Sequence, residues 1–531
     1  MSQSQEHLAS LFSRQVNRRA AVAGSAVAIV AGSTFGSVAG QEASPEASTP
    51  EGTPGGVLRL GVQGDPTELD PHLVVLDAAS LVTDLVYEGL VHEDAALVPQ
   101  PLLAESWEVS DDGTTYTFQL RSGVSFHNGR AMVAEDVVYS INRVMNPDSA
   151  SPWVSYTDTI EKVEAPDDLT VVFTLTSPDS SFLAKLCRRG LTVVPQEEVE
   201  ANGDLKQVMV GTGPFNFIEY VPNSMIRLGK NESYWLEGRP YLDGLDIQII
   251  PDDTARATAL ISDTVDFIES VPHKDVLSIQ ESNDLALTGD QATNLRWIVF
   301  NVRKEPFNNK ELRRAIASGI DRQAIIDAAV FGYGTPLYGM YPSDYWAGYE
   351  GEIPAPDPEG AAAAIAEIGL PDGFNPGILT WGEYDFLSNT SVVVQEQFRQ
   401  MGITSEIDPQ ENAIYLERYF GGDFDIAVMG AGGYIDPNDF MQQTLGTGGP
   451  TNSSGFSNEE LDQLMQEGLL EEDQEARKAI YQQAQELIIE EAPWIMLYTS
   501  NTFEGMRANV KGFTHSLSGS FHALRETWIE Q

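Results

Sequence analysis

The chain has one cysteine in 531 residues, Cys187, which excludes an intramolecular disulfide and a thiolate metal cluster. Within Ser181-Phe182-Leu183-Ala184-Lys185-Leu186-Cys187 it reads as a small packed hydrophobe. Basic residues are also scarce: 31 Lys and Arg stand against 79 Asp and Glu, for a net charge of -48. Nucleic acid is thereby excluded as a partner, because a phosphate backbone requires the opposite sign. The acidic residues are spread along the chain with no acidic tail, so they form a solvated surface; a salty habitat would screen their repulsion. Seven scattered histidines show no metal-ligand spacing. There is no nucleophile elbow, no phosphate loop ending in Lys-Ser/Thr, no paired-His helix and no Cys pair. Carboxylates are too abundant for any pair of them to mark acid-base chemistry. No catalytic residue, cofactor or metal site is expected.

What is present begins with Asn17-Arg18-Arg19, followed by the mildly apolar run from Ala20 to Ala39. Residues 1-40 read as an export signal of the twin-arginine type, with a retained membrane anchor as the alternative. No Cys follows the apolar run, so lipid attachment through Cys is not expected. Residues 41-56, dense in Pro, Ser, Thr and Glu, read as a disordered spacer.

The first folded segments are easily read. Val57 to Val62 alternate as a strand, and Ser80 to Leu90 read as a helix ending at Gly89. Ser110-Asp111-Asp112-Gly113 is a turn between two alternating strands, with Trp107 and Val109 before it and Tyr116, Phe118 and Leu120 after it. From Glu135 the period changes. Val137, Ile141, Val144 and Met145 form the apolar stripe of a helix that stops at Asn146-Pro147.

The residues of this region, Leu103 to Val109, Asp112-Gly113, Tyr116 to Phe118, Leu120 to Val124, Phe126 to Gly129 and Ala134 to Arg143, resemble those of the family-5 extracellular solute-binding proteins. These are the oligopeptide, dipeptide and nickel receptors of ABC importers. Val133 stands where the family has a helix-capping Thr. The resemblance continues through Gly211-Thr212-Gly213-Pro214-Phe215, Pro240 to Asp243, Leu312 to Ile316, Gly319 to Arg322 and Ala492-Pro493-Trp494. It covers about Val57 to Gly512. The glycines at 211 and 213 read as chain reversal into a hairpin, since no Lys-Ser/Thr follows them.

The resemblance implies a periplasmic-binding-protein-like α/β fold, with two large α/β lobes joined by crossing strands plus an inserted third lobe. A base lobe is expected from 57-92, 206-290 and 495-531, with the inserted lobe at 93-205 and the second large lobe at 291-494. Asn294 to Val302 is expected to be a crossing strand. Helices are expected at Glu359 to Ile368 and Ser391 to Met401, and strands at Gly377 to Trp381 and Asp423 to Met429.

In peptide-binding relatives a Trp-x-Ala-Asp-Tyr-x-Asp/Glu-Pro segment holds the ligand, its first acidic residue anchoring the α-ammonium group. Here Tyr434 and Asp436-Pro437 match, but Gly433 stands at the anchoring Asp and Gly430 at the Trp. A charge-assisted bond of that kind is worth about 1.5 to 3 kcal/mol. The candidate ligand contacts from this segment are Gly430, Ala431, Gly433, Tyr434 and Asp436, the glycines admitting close backbone approach. The resemblance adds Leu76, Asp77 and Ala78 ahead of the first helix, and Arg418 near a ligand carboxylate. Trp381 and Tyr384 follow a strand and are the candidate aromatic wall.

The expected function is an exported, extracytoplasmic receptor, periplasmic or at the outer cell surface. It captures a short peptide or related solute between lobes and passes it to an ABC permease, acting as a monomer and without chemistry. The alternatives are the same fold holding an oligosaccharide or chelated metal, or serving a sensory partner, and more distantly a secreted hydrolase.

Overall fold

The alternation on either side of Ser110-Gly113 becomes a hairpin in the computed structural model, which describes residues 52-531 except Thr67, Val75, Leu76 and Gly433. The segment expected to be an export signal and most of the spacer lie outside these residues. Ala104–Val109 and Thr115–Leu120 pair antiparallel, Trp107 facing Phe118 and Val109 facing Tyr116. Thr170–Leu175 and Ile160–Asp167 complete a four-stranded sheet. The helix Ala134–Met145 lays Val137, Ile141 and Val144 on a core that contains Phe118, Phe173 and Phe182. Val133 occupies the N-cap position without a side chain that can accept, while Asp136 Oδ2 accepts the Val133 N–H at 2.9 Å, so half of a reciprocal cap survives.

An eleven-stranded mixed sheet runs through the rest. Its middle is a pair of long antiparallel strands, Leu285–Phe300 and Trp494–Arg507, in register from Leu285 opposite Arg507 to Val299 opposite Trp494. On one side follow Phe267–Ile268, Val57–Val62, Gly244–Ile249, Met225–Lys230 and Phe215–Val221. On the other lie Ile426–Ala431, Gly377–Trp381 and Glu406–Gln410, and the eleventh strand, Gly334–Pro336, pairs with Trp494–Arg507 off this path. The two long strands therefore belong to both large α/β lobes. Their ladder breaks between Gln291 and Leu295; before the break Leu285–Phe300 pairs with Trp494–Arg507, and after it Ile426–Ala431 pairs on its other side as well. Ala292, Thr293 and Asn294 lie there outside the register, and Thr293 donates from both N and Oγ1 to Leu517 O. Such an irregularity bends a strand and frees it from its ladder locally.

Three expectations need correction. The crossing strand begins at Leu285, nine residues before Asn294, because its first half pairs with Thr502 to Arg507. The first helix is Ser80–Val86 and stops short of Leu90; Tyr87 is extended, and Gly89 O and Leu90 O accept from Leu103 N and Leu102 N. Gly211 and Gly213 do precede a hairpin, but what requires glycine is proximity. A Cβ at Gly211 would lie 2.0 Å from Val86 O, and one at Gly213 would lie 2.5 Å from Leu85 O. Among the described residues no helix is long and apolar enough to cross a membrane.

Several polar contacts fasten the four-stranded-sheet lobe to its neighbours, among them a buried ion pair and a bond to a backbone carbonyl far along the chain. Asp70, fully buried, accepts from Arg143 Nη1 at 2.9 Å and Nη2 at 2.6 Å, and from Leu205 N at 2.9 Å. On the opposite side Ser180 donates its N–H to Leu469 O at 3.0 Å, and its hydroxyl reaches the same carbonyl at 2.9 Å.

Candidate functional site

Several distant stretches of chain enclose a cavity of about 540 Å³ beside the crossing strands. The end of the first helix and the strand Val91–Glu93 bring Tyr87, Gly89 and Glu93. The segment after Phe182–Leu186 brings Cys187, Arg188 and Arg189. The crossing strand brings Trp297, the chain after Ile426–Ala431 brings Tyr434 and Ile435, and the C-terminal return brings Ser518 and His522. The volume falls within the roughly 300 to 1,000 Å³ of small-molecule sites.

The walls differ in character. One is a set of packed rings: Trp297 stacks on Trp494 at 4.7 Å between centroids and meets Phe440 edge-on at 5.9 Å. Tyr419 and Tyr434 continue this wall, and Trp153 and Tyr156, 5.6 Å apart, lie on the four-stranded-sheet side. Burial pushes the Tyr419 phenol up to about 12, so it stays protonated. Burial likewise raises the Cys187 thiol well above its ordinary range, which keeps it an inert thiol in the wall, donating to Leu183 O at 3.4 Å.

The other wall is charged. Arg188 donates to Asp439 Oδ2 from Nη2 at 2.5 Å and from Nε at 3.2 Å, and its guanidinium lies 5.3 Å from the Tyr156 ring centre. Burial opposes the charge on Arg188, but Asp439 outweighs it and holds the guanidinium above its usual range. Arg188 comes from the four-stranded-sheet lobe, whereas Asp439 is in the first turn of Pro437–Thr444 in the second large lobe. The ion pair therefore bridges the cavity. Beside it Leu97, Ala184 and Ile435 form a small apolar cluster across the same boundary.

The structure brings some of the expected contacts to this cavity and leaves others elsewhere. Ala431 and Tyr434 line it. Leu76 and Gly433 lie outside the described residues, and the backbone of Asp77–Ala79 forms a short helical turn in which Ala78 packs against Gly64. Gly430 does not open space for a ligand: a Cβ there would meet Arg296 Cδ at 2.7 Å, so the Arg296 side chain fills that position. Asp436 caps Pro437–Thr444 by accepting from Asn438 N at 3.0 Å and bonds Arg477 Nη2 at 2.9 Å, so its carboxylate is held inside the lobe. Arg418 is paired within its own lobe with Asp408 at 2.6 Å. Trp381 and Tyr384 stand behind the wall. Trp381 stacks on Tyr415 at 5.1 Å, and Tyr415 stacks on Tyr419 at 5.8 Å, so the ring that lines the cavity, Tyr419, is two layers beyond Trp381.

Trp153, Tyr156, Arg188, Trp297, Tyr419 and Glu93 were not singled out by sequence. Each is one aromatic or charged residue among many, and only long-range strand pairing puts them around one space.

The model of bacterial extracellular solute-binding proteins, family 5 Middle, matches residues 98-452. The chain is 32% identical over 490 residues to the heme-binding protein A of Haemophilus influenzae, covering 86% of this chain and 89% of that protein. Among solved structures it is similar to the binding protein AgaA of A. tumefacien R10 in complex with agropinic acid, at 30% identity and a TM-score of 0.81 over 90% of this chain and 99% of that one. It is similar too to the oligopeptide-binding protein AppA of Bacillus subtilis in complex with a nonapeptide, at 25% identity and a TM-score of 0.82 over 91% and 100% of the two chains.

Proposed function

Because the chain belongs to family 5 of the bacterial extracellular solute-binding proteins, the non-enzymatic receptors of ABC importers, we propose that its central cavity holds a short peptide or a related solute of that size. The observation that carries this reading is a cavity of about 540 Å³ walled by rings on one side and charges on the other, and bordered by both large lobes and the inserted one. A solute of a few residues fits such a space. Closure over it brings Arg188 to Asp439, and a ligand shifts that equilibrium by its differential affinity for the closed form. We place the lobe boundaries near residues 92, 205, 290 and 494, with the register break at 292-294 serving as the hinge. The partner is a membrane permease that recognises the closed monomer, and delivery outside the cytoplasm by the N-terminal segment requires no lipid on Cys.

A non-peptide solute is the second reading, favoured by Gly433 at the position where peptide-binding relatives anchor an α-ammonium group. Native mass spectrometry of protein purified from its own growth medium separates the two. A discrete added mass, lost on denaturation, is expected, and its fragments identify the class. No added mass, together with no thermal shift of the refolded protein by di- to tetrapeptides, overturns the peptide reading.

A further inference from the structure

The ammonium anchor missing at residue 433 has a replacement elsewhere in the cavity wall. Glu93, the last residue of the strand Val91–Glu93, is only partly buried and lines the cavity. Its carboxylate accepts one hydrogen bond among the described residues, from the Ser518 hydroxyl. Arg188 and Cys187 both feel its charge. Ser518, Arg188 and Cys187 all line the cavity, which places the carboxylate itself at the wall. An ionised carboxylate has about four acceptor positions, so Glu93 keeps most of its capacity for an incoming donor.

The charge balance points the same way. The lining carries Arg188 and Arg189 against Asp84, Glu93 and Asp439, one negative charge in excess. Arg188 is engaged by Asp439. Asp84 is nearly buried and accepts from Phe521 N at 3.1 Å. Glu93 is therefore the carboxylate with both exposure and free acceptor positions, and a bound cation neutralises the wall. A charged group enclosed away from water is stable only when paired in this way.

We propose that Glu93 is the specificity-determining residue that holds an ammonium group of the bound solute, so that the receptor selects amine-bearing solutes with an aromatic or apolar body for the ring-lined wall opposite. The inference rests on the peptide reading above and deepens it.

The test uses the full chain and two probes, the tripeptide Gly-Phe-Ala and its N-acetyl form, measured by titration calorimetry alongside a panel of other di- to tetrapeptides. Wild type is expected to prefer the free amine, and Glu93→Gln, which keeps the shape and the Ser518 contact, is expected to lose about ten- to a hundred-fold for the free tripeptide while binding the acetylated form unchanged. Glu93→Asp, which keeps the charge, is expected to fall between, and it decides the matter if the Gln variant fails to fold. Equal binding of the two probes by wild type, or full affinity of the Gln variant for the free amine, overturns the role of Glu93 and leaves the peptide reading standing. No binding by wild type of any peptide in the panel overturns both.

Discussion

Asp439→Ala is expected to weaken solute binding by about a hundred-fold while barely moving the melting temperature of the empty protein. Asp439 is 1% exposed and Arg188 14%, and breaking one side of a buried pair costs about 3 to 5 kcal/mol. The two residues come from different lobes, so on the closure proposed above the penalty is expected to fall on the closed form, in which the pair is made. The low end of the range applies because Arg188 keeps some exposure and its contact with the Tyr156 ring. The double variant Arg188→Met with Asp439→Leu is expected to recover part of the loss, since an apolar pair of similar volume replaces buried charges at little cost. Calorimetry on the single and double variants checks this. Unchanged affinity in the single variant refutes a bridging role.

Arg143→Met is expected to act on folding instead. It removes the partner of a fully buried carboxylate, at a cost of about 3 to 5 kcal/mol, and lowers the melting temperature by several degrees. Burial disfavours the ionised Asp70, but Arg143 overcomes this and the net effect holds Asp70 below its ordinary value of 3.8. In wild type this pair therefore contributes stability that is complete above the ordinary carboxylate range and lost as the pH falls through the depressed value. Without Arg143 the sign reverses. Burial then dominates, the Asp70 value rises, and the variant loses stability as the pH climbs through that raised value. The gap between variant and wild type is thus expected to be wide at pH 7 and to narrow toward pH 4 in thermal melts. A gap independent of pH shows that Asp70 is not the group left behind.

These two ion pairs show where reading from sequence succeeds and where it stops. Local pattern was enough for the hairpin around Ser110-Gly113, the helix Ala134–Met145 and the strand Gly377–Trp381, whose apolar spacing is set within a few residues. It was not enough for Asp385–Gln400, expected to start at Ser391, because its opening turns carry Ser388 and Asn389, residues that favour caps and turns elsewhere. Nor did it reveal that Leu285–Phe300 is one strand, since Gly289, Asp290 and the break at 292-294 read locally as a loop. Two structural readings stand beside the expected site. Ala431 and Tyr434 line the cavity because the strand that carries them, or precedes them, ends at the crossing. Trp381 and Tyr384 have the right chemistry but sit one helix behind it, and alternation within a strand gives the face of a residue, not its distance from a void. Arg188 and Asp439 are 251 residues apart, and nothing local to either marks the other.

The stacked indoles of Trp297 and Trp494, 4.7 Å apart and inclined by 18°, have an optical consequence. Two indoles this close and nearly parallel couple their electronic transitions, and one of them forms part of the cavity wall. A solute in the cavity alters the polarisability beside one member of that coupled pair, so occupancy is expected to register in the near-ultraviolet circular dichroism of the native protein without any added dye.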